Sequence, residues 1–288
     1  MNCLVCQAEV PAESTLYDCL QHCPGCGFVF ASRLPSDEEI RRLYQAAYFA
    51  GEEYADYVQD KAILQRNFRR LIRVLERFST GGRLYEVGAA YGFFLELARE
   101  RWQVEGIDVS EEACTYARQQ LDLNVQCGEF LAVPLPESSY DVVCMWDTIE
   151  HLREPSRYVE KAACCLRPGG YLALTTGDIG SWSARVQGRY WRLIHPPTHL
   201  YYFSSLTIKR LLDRFGFEIV HLSYPGFYRS VGAMVRWLLV RIGDRGFFYH
   251  KLKDRWWARV GVCLNMYDIM FVIARKNSKV PVAVDPEP

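Results

Sequence analysis

Along residues 83–276, the spacing of hydrophobic residues changes back and forth between that of buried strands and that of helices. Apolar runs long enough for buried strands are separated by stretches in which apolar residues recur every three or four positions, as on one face of a helix. The pattern predicts strands at 83–88, 103–108, 140–145, 170–176, 217–223 and 266–274, with a short one near Val125. It predicts helices at 93–101, 111–121, 155–166 and 206–215. Because strands that alternate with helices pair in parallel through right-handed crossovers, we expect an α/β sheet with helices on both faces.

A helical region precedes the first of these strands. Apolar residues recur at intervals of three and four between residues 59 and 78, which is typical of a helix with one buried face. The acidic residues after Ser36 suit the beginning of a helix, and Gly81 and Gly82 suit an end. The sequence therefore predicts an N-terminal helical cap at residues 36–79.

Composition narrows the class of protein. Half of the 288 residues are hydrophobic and 24% are charged, which is typical of a globular chain. Lys plus Arg and Asp plus Glu both number 34, so no chain-wide attraction to nucleic acid is expected. No signal peptide follows Met1, and Arg236 and Arg241 interrupt the longest apolar stretch. We therefore expect a cytoplasmic protein without a transmembrane helix.

The first predicted strand runs directly into a turn of small residues and then into a helix. Gly88 and Gly92 permit close approaches of the backbone, and open α/β sheets bind ligands at such turns. A dinucleotide fingerprint also needs glycine at the positions of Ala90 and Phe93, so that pattern fails twice. The remaining candidate is S-adenosylmethionine (SAM), which has no phosphate to bind.

Residues 86–92 read Glu-Val-Gly-Ala-Ala-Tyr-Gly, and they resemble the first motif of class I SAM-dependent methyltransferases, Asp/Glu-x-Gly-x-Gly-x-Gly. Ala90 replaces the middle glycine. The resemblance runs from about Tyr44 to Val220, with several motifs in order. It implies a methyltransferase domain at residues 80–276. The implied fold is a Rossmann-like doubly wound sheet of seven strands, mostly parallel, with the last strand antiparallel.

The resemblance also implies roles for individual residues. Glu86 would lie near the methionine amino group of SAM, and Asp108, which ends the second strand, would bind the ribose hydroxyls. Carboxylates suit both partners because they accept strong bonds from ammonium and hydroxyl groups. The other implied cofactor contacts are Gly88, Ala90 and Gly92 of the turn, Glu129 at the adenine amino group, Phe130 on the adenine ring, the backbone near Trp146, and Tyr48 and Tyr57 of the cap. For Glu129 and Trp146, a surface or core role is the alternative.

Two Cys-x-x-Cys pairs lie near the N-terminus, sixteen residues apart: Cys3 with Cys6, and Cys23 with Cys26. This spacing is typical of a four-thiolate zinc site, in which a closed set of ligands makes the ion structural. Alternative ligands are Cys19 and His22, and buried cysteines without metal are the alternative to zinc. A zinc-ribbon-like module also precedes the domain in a subgroup of the family that the chain resembles. We therefore expect a zinc-binding knuckle at residues 1–31.

An aromatic segment follows the fifth strand and ends in His199-Leu-Tyr-Tyr-Phe-Ser204, which resembles the family's His-x-x-Tyr-Phe-Ser segment. Methyl transfer from a sulfonium is an in-line displacement, and a base assists it when the acceptor is a hydroxyl or an acidic carbon. With an ordinary pKa near neutrality, His199 and then His195 are candidates for that base. For His199, a packing role that orders the loop is the alternative.

Residues 226–265 form an insertion before the last strand, with eight Lys or Arg residues against two Asp residues and several Trp and Phe residues. The composition predicts a helical lid that covers the acceptor and favours an anionic or membrane-bound substrate, with peripheral membrane contact through this segment. The alternative is an ordinary amphipathic helix, whose charged face lies in solvent and whose apolar face packs on the protein. We expect residues 277–288 to form a flexible tail.

Together these features favour a SAM-dependent methyltransferase that acts on oxygen or carbon of a small-molecule, glycan or lipid-linked acceptor. The alternative is a non-catalytic interaction protein that binds SAM and holds a partner through the zinc knuckle and the basic insertion. Nucleic acid is disfavoured as an acceptor because residues 146–149 read Trp-Asp-Thr-Ile, where an Asn/Asp-Pro-Pro-Tyr/Phe type of motif is expected.

Overall fold

The computed structural model describes residues 2–17, 19–36, 39, 57–235 and 256–277. Its strands are β1 (Thr15–Leu16), β2 (Leu20–His22), β3 (Val29–Ala31), β4 (Arg83–Val87), β5 (Gln103–Asp108), β6 (Val125–Cys127), β7 (Tyr140–Trp146), β8 (Leu166–Gly177), β9 (Tyr201–Tyr202), β10 (Phe217–Ser223), β11 (Phe227–Ser230), β12 (Gly261–Leu264) and β13 (Ile269–Lys276). Its α-helices are α1 (Lys61–Leu75), α2 (Phe93–Ala98), α3 (Glu111–Leu121), α4 (Pro155–Cys165), α5 (Trp182–Gln187) and α6 (Ser205–Arg214). Three short 3-10 helices lie at Ile149–His151, Gly188–Tyr190 and Trp256–Arg259.

Seven strands form the central sheet, in the order β10-β13-β8-β7-β4-β5-β6. β13 pairs antiparallel with both β8 and β10. The pairs formed by β8, β7, β4, β5 and β6 are parallel. The expected Rossmann-like sheet with one antiparallel last strand is therefore confirmed. The sequence could predict it because each parallel pair needs a crossover long enough to leave its own pattern in the chain.

Two strands differ from their predicted bounds by more than one residue. β8 begins at Leu166, directly after α4, rather than at residue 170, and its pairing with β7 shifts register just after Leu166. The last strand begins at Ile269 rather than at residue 266. Tyr267 explains the second difference, because its positive φ of 53° interrupts the extended backbone.

The hydrophobic core lies on both faces of the central sheet. All seven residues of β7 are buried, because helices cover a central parallel strand on both sides. On one face, α1 buries Leu71, Ile72 and Leu75 together with residues of α2 and α3. On the other face, residues of α4 and α6 pack together with the N-terminal segment. Burial of each such leucine or isoleucine contributes about 1.5–3 kcal/mol to folding.

The N-terminal segment is joined to the segment between β8 and α6 by strand pairing. β1, β2, β3 and β9 form a second sheet, in which Val29 pairs with Tyr202 and Phe30 with Tyr201. The predicted knuckle at residues 1–31 therefore shares a sheet with the aromatic segment that follows β8.

The described residues of the insertion at 226–265 contain the strands β11 and β12, a helical stretch at residues 231–235 and the 3-10 helix Trp256–Arg259. β11 and β12 pair antiparallel as a two-stranded ribbon, and residues 236–255 lie outside the described residues. The side-chain amide of Asn67, on α1, donates to the Tyr228 carbonyl at 3.0 Å, and its oxygen accepts from the Tyr228 amide at 2.7 Å. These bonds hold the ribbon against α1. The predicted helical lid lies mostly at residues outside the described part of the chain and stays a prediction.

Other predicted features fall outside the described residues. These are the middle of the N-terminal cap, with Tyr48, and the tail after Asn277. Among the helices that the structure does describe, none has the length and apolar character needed to span a bilayer.

Candidate functional site

The carboxyl ends of the parallel strands meet at one edge of the central sheet. β4 has β5 on one side and β7 on the other, so the direction of strand succession reverses between β4 and β7. Such a switch point leaves a crevice above the strand ends, where open α/β sheets bind ligands. Glu86 and Asp108 come from β4 and β5 on one side of this crevice, and Asp147 follows β7 on the other.

The turn after β4 lies close to its neighbours. Gly88, Ala90 and Gly92 have positive φ angles of 76°, 45° and 78°. A Cβ atom at Gly88 would lie 2.7 Å from Oγ1 of Thr148, and one at Gly92 would lie 2.6 Å from Cδ1 of Leu123. A side chain therefore fits at neither glycine. Ala90 adopts the left-handed conformation at a cost of about 1 kcal/mol.

Asp108 faces this turn. Its Oδ2 accepts a hydrogen bond from the Ala90 amide at 2.7 Å, and its Oδ1 accepts one from the Ser110 amide at 2.9 Å. The first bond offsets the conformational cost at Ala90, which explains how the turn tolerates the missing glycine. Burial raises the pKa of Asp108, while the backbone amides counteract the shift. A carboxylate has about four acceptor sites, so Asp108 keeps acceptor capacity for a ligand.

Glu86 is buried at the end of β4, with 3% of its surface exposed. Its Oε2 atom has no hydrogen-bond partner in the described part of the chain. Burial, together with the negative charge of Asp108, raises the pKa of Glu86 well above its ordinary range. A buried carboxyl group without a partner is costly, and a cationic ligand would relieve that cost.

These features fit SAM. Its ammonium group suits the unsatisfied carboxyl of Glu86, and its ribose diol suits the remaining acceptor sites of Asp108. The turn at residues 88–92 brings backbone rather than side chains to the crevice between them.

The two residues expected to contact the adenine, Glu129 and Phe130, lie in different environments. Glu129 is exposed, and its Oε2 accepts a hydrogen bond from the Tyr158 hydroxyl at 2.5 Å. Phe130 is 2% exposed, and its ring centroid lies 5.8 Å from that of Tyr85 and 5.5 Å from that of Tyr158. Phe130 therefore belongs to the core beneath the sheet, because full burial of a large apolar ring is worth more than lining an open crevice.

Trp146 and Tyr57 both pack against aromatic rings. Trp146 ends β7 at the switch point, with its ring 4.9 Å from that of Phe94 and its Nε1 buried without a partner in the described residues. Its ring therefore belongs to the core, and a contact of its backbone with the cofactor stays a prediction. Tyr57 stacks on Tyr91 and Phe93, each at 5.4 Å between centroids, which places it beside the turn after β4.

Asp147 follows β7 at this edge of the sheet and was not among the residues predicted for the site. Its amide donates to Oγ1 of Thr175 at 2.9 Å, and its Oδ1 accepts from the same hydroxyl at 2.8 Å. The side chain contacts solvent, yet protein surrounds it closely enough for burial to raise its pKa. Thr175, Arg229 and His151 oppose that shift. The available signal was an acidic residue directly after a central strand.

His199 and His195, predicted as proton acceptors, differ in burial. His199 is 9% exposed and forms a group with Glu150 and His151, whose potential metal-binding atoms lie within 4.8 Å of one another. Burial, together with the neighbouring histidines, lowers the pKa of His199 well below its ordinary range, so its ring is neutral at pH 7. His195 is exposed, and its Nδ1 lies 2.7 Å from Oγ1 of Thr198.

The four N-terminal cysteines converge, as predicted. Sγ of Cys3 lies 3.6 Å from that of Cys26, Sγ of Cys6 lies 3.5 Å from that of Cys23, and all four lie within 4.8 Å. Thiolates placed about 2.3 Å from a tetrahedral zinc ion are roughly 3.8 Å apart, so the group fits zinc. Cys19 is exposed and lies outside the group.

Comparisons with known proteins agree with this geometry. A family model described as a methyltransferase domain matches residues 55–222, more than half of the 288-residue chain. A protein of Mycolicibacterium smegmatis named as a probable S-adenosylmethionine-dependent methyltransferase is 29% identical over 157 residues, which are 53% of this chain and 59% of that protein. A ubiquinone biosynthesis O-methyltransferase of Xanthomonas euvesicatoria pv. vesicatoria is 36% identical over 104 residues, which are 33% of this chain and 43% of that protein. The chain thus spans about half the length of these curated relatives.

Solved structures share the fold. The [4+2]-cyclase SpnF superposes with a TM-score of 0.54 at 18% identity, over 85% of this chain and 97% of its own. A SAM-dependent methyltransferase from Archaeoglobus fulgidus superposes with a TM-score of 0.52 at 18% identity, over 75% of this chain and 94% of its own. At such identities the likeness concerns the fold alone.

Proposed function

This chain belongs to the methyltransferase-domain family, and from that membership we propose that it is an enzyme that transfers a methyl group from SAM to a small acceptor. The observation that carries the proposal is the pair of buried carboxyl groups, Glu86 and Asp108, at a turn where Gly88 and Gly92 admit no side chain. Such a pair suits a ligand with one cationic group and one diol.

The residues of the crevice have separate tasks in this proposal. Glu86 holds the ammonium group of SAM, Asp108 holds the ribose hydroxyls, and the backbone at residues 88–92 covers the nucleoside between them. Glu129 remains the candidate for the adenine amino group. When bound, SAM supplies an electrophilic methyl group on a sulfonium. The chain's own residues then have to align the acceptor and exclude water.

We propose an oxygen acceptor, with Asp147 as the group that takes its proton. The O-methyltransferases among the relatives support the choice of oxygen. Asp147 contacts solvent at the crevice, and its hydrogen bond with Thr175 fixes the carboxylate. His199 and His195 remain the other candidates for a base. The burial of His199 supports a role in ordering the segment that includes β9.

The proposal includes a structural zinc ion held by Cys3, Cys6, Cys23 and Cys26. Four thiolates complete a tetrahedral shell and leave no position for water, so the ion would stabilise the fold rather than take part in methyl transfer.

Isothermal titration calorimetry with SAM, followed by transfer of a labelled methyl group to a pool of phenolic, sugar and lipid-like acceptors, tests this function. We expect one SAM per chain and acceptor-dependent release of S-adenosylhomocysteine. Binding of SAM without turnover on any acceptor would favour a non-catalytic interaction protein. Binding of a nicotinamide cofactor in place of SAM would overturn the assignment.

Asp147→Asn is expected to lower kcat/KM about 100-fold and to leave the Kd for SAM within about twofold, because a positioned base contributes at least that factor. The base must be ionised, so the activity of the wild-type chain is present above the pKa of Asp147 and is lost as the pH falls through it. Since burial raises that pKa, the loss begins at a higher pH than for an ordinary aspartate. The pH profile of kcat/KM measures both effects.

The matched comparison is His199→Asn, which removes the rival base. If Asp147 is the base, His199→Asn keeps the acidic limb of the pH profile and Asp147→Asn does not. An unchanged limb in Asp147→Asn would exclude Asp147 from proton transfer.

Glu86→Gln is expected to stabilise the ligand-free chain and to weaken SAM binding roughly 10- to 100-fold, since a bond to a charged group is worth about 1.5–3 kcal/mol. Because the pKa of Glu86 is raised in the folded state, its ionisation costs folded stability as the pH rises from the unfolded to the folded pKa. Glutamine removes that cost, so the gain in Tm over wild type grows with pH across this window. Melting curves from acidic to basic pH, with calorimetry, test the pair of effects. A variant that melts below the wild type at every pH would mean that Glu86 supports the fold instead.

A further inference from the structure

A second group of metal-ligating side chains lies between the loop after β7 and the segment before β9. Glu150 and His151 belong to the 3-10 helix that follows β7, and His199 lies two residues before β9. One ligand atom from each of these three side chains lies within 4.8 Å of the other two. Nitrogen and oxygen ligands about 2.0–2.1 Å from a tetrahedral ion are roughly 3.3 Å apart, so small side-chain rotations bring all three onto one ion.

The backbone and the rings hold this group in place. The Leu200 amide donates to the Glu150 carbonyl at 2.9 Å, which fixes the segment before β9 against the 3-10 helix. The rings of His151 and His199 are nearly perpendicular, at 88°, with their centroids 4.6 Å apart. The three ligands therefore converge through contacts between parts of the chain that are about fifty positions apart.

His151 has the orientation of a metal ligand. Its Nδ1 lies 2.9 Å from the carbonyl oxygen of Thr198. Because a carbonyl oxygen only accepts hydrogen bonds, Nδ1 carries the proton, and Nε2 then has the lone pair that binds an ion. Histidines that bind metals usually donate their other ring N–H to a carbonyl or carboxylate in this way.

The chemistry of the group selects a class of ion. Glu150 and His199 are buried, at 4% and 9% exposure, whereas His151 is half-buried and reaches solvent. Two imidazoles with one carboxylate favour a transition metal over Mg²⁺ or Ca²⁺, which prefer oxygen ligands. Two histidines and a glutamate also hold zinc in some enzymes, with a further position left for water.

We propose that Glu150, His151 and His199 bind one divalent transition-metal ion, which ties the loop after β7 to the segment before β9. This ion is additional to the zinc proposed at the four N-terminal cysteines. Its binding does not depend on methyl transfer, so the two proposals succeed or fail separately.

Titration of the zinc-loaded full chain with cobalt(II) chloride tests the site, because the absorption spectrum of bound cobalt reports its ligands. Thiolate ligands give intense charge-transfer bands in the near ultraviolet, whereas imidazole and carboxylate ligands give weak visible bands alone. We expect one cobalt ion per chain with the weak visible bands. Cobalt that shows thiolate bands alone, or no bound cobalt, would overturn the site and leave a hydrogen-bonded packing cluster.

His151→Gln and Glu150→Gln are each expected to weaken cobalt binding at least about 10-fold, since even loss of an outer partner of a ligand costs roughly 10- to 100-fold. His221→Gln is the matched control, because it removes a half-buried histidine of β10 that lies outside the group. It should bind cobalt as the wild type does. Equal affinity in the wild type and in His151→Gln would overturn the site, and this half-buried position keeps the test valid even if Glu150→Gln does not fold.

Melting curves and hydrogen exchange test the tie between the two segments. Cobalt at about 100 times its Kd is expected to raise the Tm of the wild-type chain by roughly 5 °C, and magnesium chloride at the same concentration is expected to leave it unchanged. The Leu200 amide should exchange more slowly when cobalt is bound, because the ion holds its acceptor, the Glu150 carbonyl, in place. An equal rise in Tm with magnesium would overturn the transition-metal site.

Discussion

Asp108→Asn is expected to weaken SAM binding by about 30-fold or more, since loss of one partner from a buried, hydrogen-bonded charged contact costs roughly 2–5 kcal/mol. The carboxylate accepts from the amides of Ala90 at 2.7 Å and Ser110 at 2.9 Å, and both of its oxygens are thereby engaged. Asparagine has one oxygen, so its amide nitrogen would face the backbone N–H group of either Ala90 or Ser110. Either orientation leaves two donors opposed, and isothermal titration calorimetry measures the loss.

The matched control for this change is Asp122→Asn. Asp122 is exposed and ends α3 in the left-handed conformation, with φ of 52°, which asparagine also tolerates. It should leave the Kd for SAM unchanged. If Asp108→Asn bound SAM within about threefold of the wild type, the crevice above β4 and β5 would not be the ribose site.

Replacing Cys23 and Cys26 together by serine is expected to disorder more than the knuckle. A structural zinc site supplies about 10–16 kcal/mol of apparent folding free energy in zinc-finger peptides. The zinc site should also stabilise the segment around β9, because Phe30 pairs with Tyr201 and the Ala31 amide donates to the Leu200 carbonyl at 2.8 Å. We expect loss of bound zinc and a fall in Tm of roughly 10 °C or more.

Hydrogen exchange distinguishes this outcome from general unfolding. Phe28 packs on Tyr201 at 5.8 Å and on Phe203 at 5.2 Å between ring centroids. Backbone amides of residues 200–203 are therefore expected to lose protection in the double variant. Those of β4 and β5 should keep theirs, and the affinity for SAM should persist, since Glu86 and Asp108 are held by other elements.

Cys19→Ser serves as the control, because Cys19 is exposed and is not part of the four-cysteine group. It should retain zinc, Tm and exchange protection. Two results would contradict the zinc proposal: purified wild-type chain that lacks zinc and melts as the zinc-loaded form does, or a double variant that keeps residues 200–203 protected.

Glu86 and Asp108 show why half of the crevice could be predicted from the chain alone. Asp108 ends β5 and Glu86 is the last residue but one of β4. Both strands can be recognised from their apolar runs, and all parallel strands of one sheet end at the same edge. Phe130 shows the limit of that reasoning. It comes soon after β6, but its ring lies beneath the sheet between Tyr85 and Tyr158, and no local pattern distinguishes that position from the crevice.

Two other features depended on long-range contacts. β3 pairs with β9, about 170 positions later in the chain, although β9 is only two residues long and leaves almost no strand pattern. β11 lies against α1 through the hydrogen bonds of Asn67, a contact that local composition does not reveal.

Local spacing was therefore enough to establish a parallel α/β sheet, the ligand turn after β4 and the convergence of four cysteines, because each depends on residues close together in the chain or on the shared direction of parallel strands. Packing in three dimensions alone decided which carboxylates and histidines face the crevice and which fill the core. Burial and charge at a site are sums over neighbours distant in sequence, and the order of residues does not reveal those sums until the chain has folded.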